Sequence, residues 1–317
     1  MLPEARLILW TFNKGDTSMK NKGFICLFVI VSLVISMASP IYATDKRRLQ
    51  TNKTFATYLW HTNKIVTDKK DILNFLQSKG VNTLYLQIDP NIQMSKYQQF
   101  IKDALKIGVR VHALDVAPDW IEPNHKGPEQ FMNWLANYQL KASNSEKFSG
   151  IHLDVEPYTL TEWDTNHEEI VNRYQDLLIN TKLFANQIKL PLYADIPFWF
   201  DEHFYSNNRF GKCSLSEWVI RNTDGISIMA NRNFTDGQNG ILALTASEVR
   251  YAKKMNKRVV IAIETDQIDD APYLSFSHLT QQDMYHTLTK VNDHYYKEKS
   301  FDGFAIHHYS SWKQLTD

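Results

Sequence analysis

The chain has 317 residues, 43% hydrophobic and 22% charged, a composition ordinary for a globular protein. Basic and acidic residues number 35 each, so the formal net charge is zero. That balance offers no basic field to draw nucleic acid and no run of one sign to mark a charged tail.

Residues 19–43, MKNKGFICLFVIVSLVISMASPIYA, read as an export signal. Lys20 and Lys22 form a positive start, Phe24 to Met37 an apolar stretch, and Ala43 a small residue suited to cleavage. The apolar run is short for a membrane-spanning helix, which leaves an uncleaved anchor as the lesser alternative. Residues 1–18 precede this signal, with Met19 a candidate start. Cleavage leaves Cys213 as the single cysteine, which excludes an internal disulfide and a Cys-based zinc site. The expected product is secreted or held at the cell envelope, free of the membrane, and monomeric. A charged linker, 44–53, leads into one domain, 54–317.

Within that domain one theme repeats. Apolar or β-branched runs fall at Phe55–Thr62, Thr83–Asp89, Arg110–Val116, Gly150–Glu156, Leu192–Ile196, Gly225–Asn231, Val259–Thr265 and Gly303–Tyr309. Helical periodicity fills the gaps at Asp68–Lys79, Ser95–Ile107, Glu129–Ala142, Glu168–Gln187, Leu215–Arg221, Ala243–Met255 and Gln281–Lys297. Gly80 and Gly108 stand where two of these helices should stop. Strands alternating with helices imply parallel pairing through crossovers. Eight such units predict a closed (β/α)8 TIM barrel, with Trp312–Leu315 only a stub of an eighth helix. The stretch after the first run, His61-Thr62-Asn63-Lys64, has no glycine-rich phosphate turn of the open doubly wound kind.

Barrel chemistry gathers where strands end. The runs end at Asp89, Asp115, Asp154-Val155-Glu156, Asp195, Asn231, Glu264 with Asp266, and His307-His308-Tyr309. Alternation puts His152, Asp154 and Glu156 on one face, opposite Ile151, Leu153 and Val155. The apolar face belongs against helices, so the polar face points into the barrel. Tyr85, Gln87 and Asp89 group in the same way, as do Ala262, Glu264 and Asp266. Carboxyls crowded in such a mouth lose solvent and repel one another, which raises at least one pKa toward that of a general acid. Glu156, at the exit of strand four and before Pro157, is the candidate acid.

The segment Gly150-Ile151-His152-Leu153-Asp154-Val155-Glu156-Pro157-Tyr158 resembles the strand-four signature of family 18 chitinases and related endo-N-acetylglucosaminidases, D-G-x-D-x-D-x-E. Asp154 and Glu156 match its last D-x-E, whereas Ser149 and His152 stand at its first two Asp positions. Met229-Ala230-Asn231 lies where that family has Met-x-Tyr-Asp, without the Tyr and Asp. The resemblance implies that Glu156 protonates the glycosidic oxygen while Asp154 orients the substrate's N-acetyl group. Glu156-Pro157 and Glu264-Thr265-Asp266 also resemble the acid and nucleophile positions of large retaining-glycosidase clans, with Val155 where those enzymes carry Asn. That likeness implies Glu264 as nucleophile.

The expected substrate is a carbohydrate. Asp89, Asp115, Asp195 and Asn231 are candidates to bind its hydroxyls, and Trp60, Trp120, Trp199 and Tyr309 to stack on its rings. No cofactor or metal is expected. Two alternatives remain: a catalytically inactive carbohydrate-binding barrel, and a metal-dependent hydrolase using Asp89, Asp115, His152, Asp154, Glu264 and His307. The second lacks any His-x-His or His-Glu-x-x-His spacing.

Overall fold

The apolar runs close on themselves. In this computed structural model, which describes Asp45, Leu49 and residues 53–317, eight parallel strands form a barrel. The export segment 19–43, the stretch 1–18 and most of the linker 44–53 lie outside the described residues. Asp45–Asp317 make one compact unit. No helix among the described residues is long and apolar enough to cross a membrane.

In chain order the elements are β1 (Thr54–Leu59), α1 (Lys64–Thr67), α2 (Lys69–Lys79), β2 (Thr83–Gln87), α3 (Met94–Lys106), β3 (Arg110–Asp115), α4 (Gly127–Lys141), β4 (Gly150–Leu153), α5 (His167–Gln187) and β5 (Leu192–Pro197). A hairpin follows, β6 (Phe204–Asn207) and β7 (Gly211–Ser214). Then come α6 (Leu215–Asn222), β8 (Gly225–Met229), α7 (Ile241–Met255), β9 (Arg258–Glu264), α8 (Gln281–Tyr295), β10 (Phe301–His307) and α9 (Tyr309–Trp312). The barrel runs β1-β2-β3-β4-β5-β8-β9-β10 and returns to β1. Closure rests on β1, which pairs Tyr58 with Tyr85 on β2 and Phe55 with Phe304 on β10. At that seam Gly303 has φ +118°, and a Cβ there would collide with the Thr54 carbonyl, so only glycine lets β10 approach.

The alternation read from sequence separates two layers. Ala56, Tyr58, Tyr85, Leu114, Val260, Ala262 and Ala305 pack together inside the barrel, with Trp60 against them. Their neighbours Leu84, Leu86, Ile151, Leu153, Ile226, Ile228, Ile261 and Ile263 are buried beneath the helices. Strand four is shorter than its pattern. β4 ends at Leu153, although the Asp154 N–H still donates to the Asp115 carbonyl at 3.0 Å. Pro157 has no N–H to extend a ladder, and the chain turns at once through Pro157–Thr159. Asp154 and Glu156 are thereby lifted onto the rim.

The β6–β7 hairpin carries no apolar run in the sequence, since its strands are short and mostly exposed or half-buried. Its turn is held by Asn207 Oδ1, which accepts from the Arg209 and Phe210 N–H groups at 3.1 and 2.6 Å. The expected stub after strand eight is α9, four residues long. It seals the shell with one ring. Trp312 is fully buried, edge-on to Phe55 at 5.8 Å and to Phe75 at 5.2 Å. Beyond it the Leu315 carbonyl accepts from Gln281 Nε2, tying the C-terminal residues to α8. Trp312→Ala should therefore cost about 3–5 kcal/mol in urea unfolding. A loss below about 1 kcal/mol would mean that this ring does not hold the seam.

Candidate active site

A polar layer crosses the barrel beneath the rim. Tyr85 stacks on His152 with ring centroids 3.8 Å apart. Tyr58 OH donates to Asp195 Oδ1 at 3.0 Å, and His152 Nε2 lies 2.9 Å from the same oxygen. His152 and Asp195 are both sealed from solvent. His112, also on this axis, is pushed down to about 3 by burial and by His152, so it is neutral.

Asp154 stands above this layer. Its Oδ1 is buried and has no hydrogen-bond partner among the described residues. Burial first, then the charges of Asp195 and Glu156, push its pKa well above the usual carboxylate range. With no donor on Oδ1 to stabilise an anion, Asp154 is held toward its protonated form. Next to it, burial pushes Asp115 up to about 7 against one opposing bond from the Val116 N–H at 2.9 Å.

Glu156 is half-buried at the exit of β4. Tyr158 OH donates to its Oε1, and no lysine or arginine pairs with it among the described residues. The Tyr158 ring meets Trp199 edge-on at 4.9 Å and Trp163 at 6.4 Å. An aromatic wall therefore rises from this carboxyl toward the loop after β5.

Glu264 is held differently. Its Oε1 accepts the N–H groups of Thr265 and Asp266, both at 2.7 Å, and its Oε2 lies 2.8 Å from His307 Nδ1. Trp60 Nε1 donates to His307 Nε2 at 2.8 Å. An indole N–H only donates, so His307 Nε2 is the acceptor and the ring proton sits on Nδ1, facing Glu264. Burial opposes a second proton on His307, yet the bond and charge of Glu264, with Asp266 and Asp195 behind, outweigh it and raise the pKa. Trp60 works against that rise. Glu264, Asp266 and His307 bring one possible ligand atom each to within 4.8 Å of one another. The Glu264 oxygens and both His307 nitrogens are already committed to the bonds above. His152, from the same metal reading, is spent deep in the barrel on Asp195.

The other expected residues divide. Trp60 and Trp199 remain partly open at the mouth, as does Asn231, whose φ of +29° turns the chain away from β8. Asp195 lies in the sealed layer below, where Tyr58 and His152 occupy it. Asp89 caps its own loop, with Oδ1 accepting from the Asn91 N–H at 2.9 Å and side-chain amide at 3.0 Å. Trp120 is buried over Gly127 and beside Phe131 at 5.6 Å, between the rim and α4. Tyr309 is not at the mouth. It packs edge-on to Phe75 of α2 at 5.0 Å and bonds Asp71 at 3.0 Å, because α9 carries it into the helical shell. Sequence reasoning missed Tyr58 as a partner of Asp195, and it missed Arg232. Tyr58 lies in plain alternation on β1 and Arg232 at the exit of β8, but neither belongs to a motif.

No known family profile matches this chain, and no curated protein does either. Among solved structures it is similar to a chitinase from Bacteroides thetaiotaomicron, at 11% identity over 81% of this chain and 90% of that one, with a TM-score of 0.49. It is similar to the spore cortex-lytic enzyme SleL of Bacillus megaterium QM B1551, at 12% identity over 81% and 70%, with a TM-score of 0.47. A deoxyribose phosphate aldolase from Aeropyrum pernix gives 7% identity over 86% and 90%, with a TM-score of 0.45. Likeness at these levels concerns the barrel fold alone.

The raised carboxyl at Asp115 has a measurable consequence. Its pKa climbs from an ordinary 3.8 unfolded to about 7 folded. The stability tied to this group is thus fully present below about pH 4 and lost as pH rises through about 7. Asp115→Asn should match wild type at pH 4 and exceed it at pH 8 by on the order of 2–4 kcal/mol. A difference that stays constant across that range would show that Asp115 is not desolvated.

Proposed function

We propose that this barrel is a glycoside hydrolase that cleaves a glycan outside the cell, with Glu156 as general acid. The observation that carries the reading is the pairing of Glu156, open to the mouth and free of any cationic partner among the described residues, with Asp154, which keeps its proton. Glu156 gives its proton to the leaving glycosidic oxygen, and Tyr158 OH orients the carboxyl for that transfer. Protonated Asp154 donates a hydrogen bond toward Glu156 or an acetamido group. Glu264, bonded by two backbone N–H groups and His307, faces the positive charge that develops at the sugar. Trp60 and Trp199 offer rings to sugar faces, and Asp115 and Asn231 offer hydrogen bonds to hydroxyls. The sequence pattern of 19–43 supports export.

Glu156→Gln is the test, against both N-acetylated and plain polysaccharides. Turnover should fall by about 100- to 10,000-fold with substrate binding retained. Full activity in this variant would end the proposal. The bonds that saturate Glu264 favour one second reading, a barrel that binds glycan without cutting it. Equilibrium binding of an oligosaccharide with no product over days is the result that would select it.

A further inference from the structure

Arg232 is the one buried lysine or arginine among the described residues. It leaves the end of β8 next to Asn231 and lies between two rings from neighbouring rim loops. Its guanidinium carbon is 5.1 Å from the centre of Phe198, after β5, and 5.5 Å from that of Tyr273, after β9. Nε and Nη2 donate to Asn239 Oδ1 at 3.1 and 2.7 Å, and Nη1 donates to the Asn231 carbonyl at 2.9 Å. A guanidinium has five N–H groups, so one remains on each terminal nitrogen. Among the described residues no carboxylate pairs with it, whereas Arg173, Arg209 and Arg258 all have one.

A loop clasp does not need this charge. Burying a cation with neutral partners alone costs stability, and a neutral amide could hold Asn239 as well. The position explains the charge better. Phe198 adjoins Trp199, Trp199 meets Tyr158, and Tyr158 bonds Glu156. Tyr273, at the far side of Arg232, is half exposed. One aromatic rim thus runs from the acid to the unpaired cation.

We propose that Arg232 binds an anionic group, a carboxylate or a phosphate, carried by the glycan, and so makes this barrel selective for acidic substrates. Two N–H groups on the terminal nitrogens suit the paired oxygens of either group. The proposal rests on the glycan reading above and narrows its substrate class.

The test is equilibrium binding to the full chain carrying Glu156→Gln, which prevents turnover. Three oligosaccharides of equal length serve as probes: one bearing uronic acids, the same one carboxyl-reduced, and a phosphorylated one. At least one anionic probe should bind about tenfold or more tightly than the neutral one. Adding Arg232→Gln should erase that preference and leave neutral binding within about twofold. Arg232→Lys should keep part of it, and it serves if the Gln variant does not fold. Whichever anion binds more tightly identifies the group. Equal affinity for all three probes, or a preference that survives Arg232→Gln, overturns the proposal and leaves the glycosidase reading standing. No binding of any probe, together with an inert wild type, overturns both.

Discussion

One oxygen organises the mouth. Asp195 Oδ1 takes the Tyr58 hydroxyl and His152 Nε2 inside the closed barrel, where water is excluded. Those two donors fix the rings of Tyr58 and His152, and Tyr85 stacks on His152 to complete the layer. The barrel thereby carries a polar layer alongside the packing of Ala56, Leu114, Val260, Ala262 and Ala305. Asp154, directly above, has no comparable donor, and the charge below it adds to desolvation. Two carboxyls so close in a low-dielectric space share the penalty unequally. Asp154, with Oδ1 unpartnered, is the one pushed toward its protonated form. The chemistry assigned to Glu156 depends on that inequality.

The architecture was legible because periodicity is a direct record of burial. A strand buried on both faces reads as an apolar run, and a helix lying on it reads as a 3.6-residue pattern. All eight barrel strands and the seven longer helices carried those signatures. The β6–β7 hairpin did not. Of its strand residues Tyr205 and Ser214 alone are fully buried, so alternation is too brief to show. The site was legible only as far as strand parity reaches. Parity holds for Asp154 and Glu264, which belong to a strand or continue its ladder. Past the ladder the backbone turns, and sequence no longer states a direction. Tyr309 enters the shell for that reason, and Asp89 folds back on Asn91. The D-x-E resemblance located Glu156 but said nothing of its partner Tyr158.

Buried carboxyls with raised pKa values occur both in the mouth and in the helical shell. Glu248 on α7 is buried, and desolvation, with Asp201 nearby, pushes it up to about 8. It lies in the shell, where neutralisation by a proton is the cheapest way to remain buried. Asp154 solves the same problem by the same means, but in a place open to substrate. The difference between a tolerated defect and a candidate catalytic group is therefore access, not pKa.

Access also gives the rim a polarity. Carboxyls gather above β3, β4 and β9, while Arg232 and its two rings span the loops after β5, β8 and β9. A neutral glycan could lie across such a mouth in either direction. An acidic one could not, since turning it round would move its anion from the guanidinium to the side of the mouth where, among the described residues, no buried lysine or arginine receives it. An anion without a cationic partner in a poorly solvated cleft is strongly unfavourable. The same residue that selects for an anion would then set the direction of the chain, and with it which glycosidic oxygen meets Glu156.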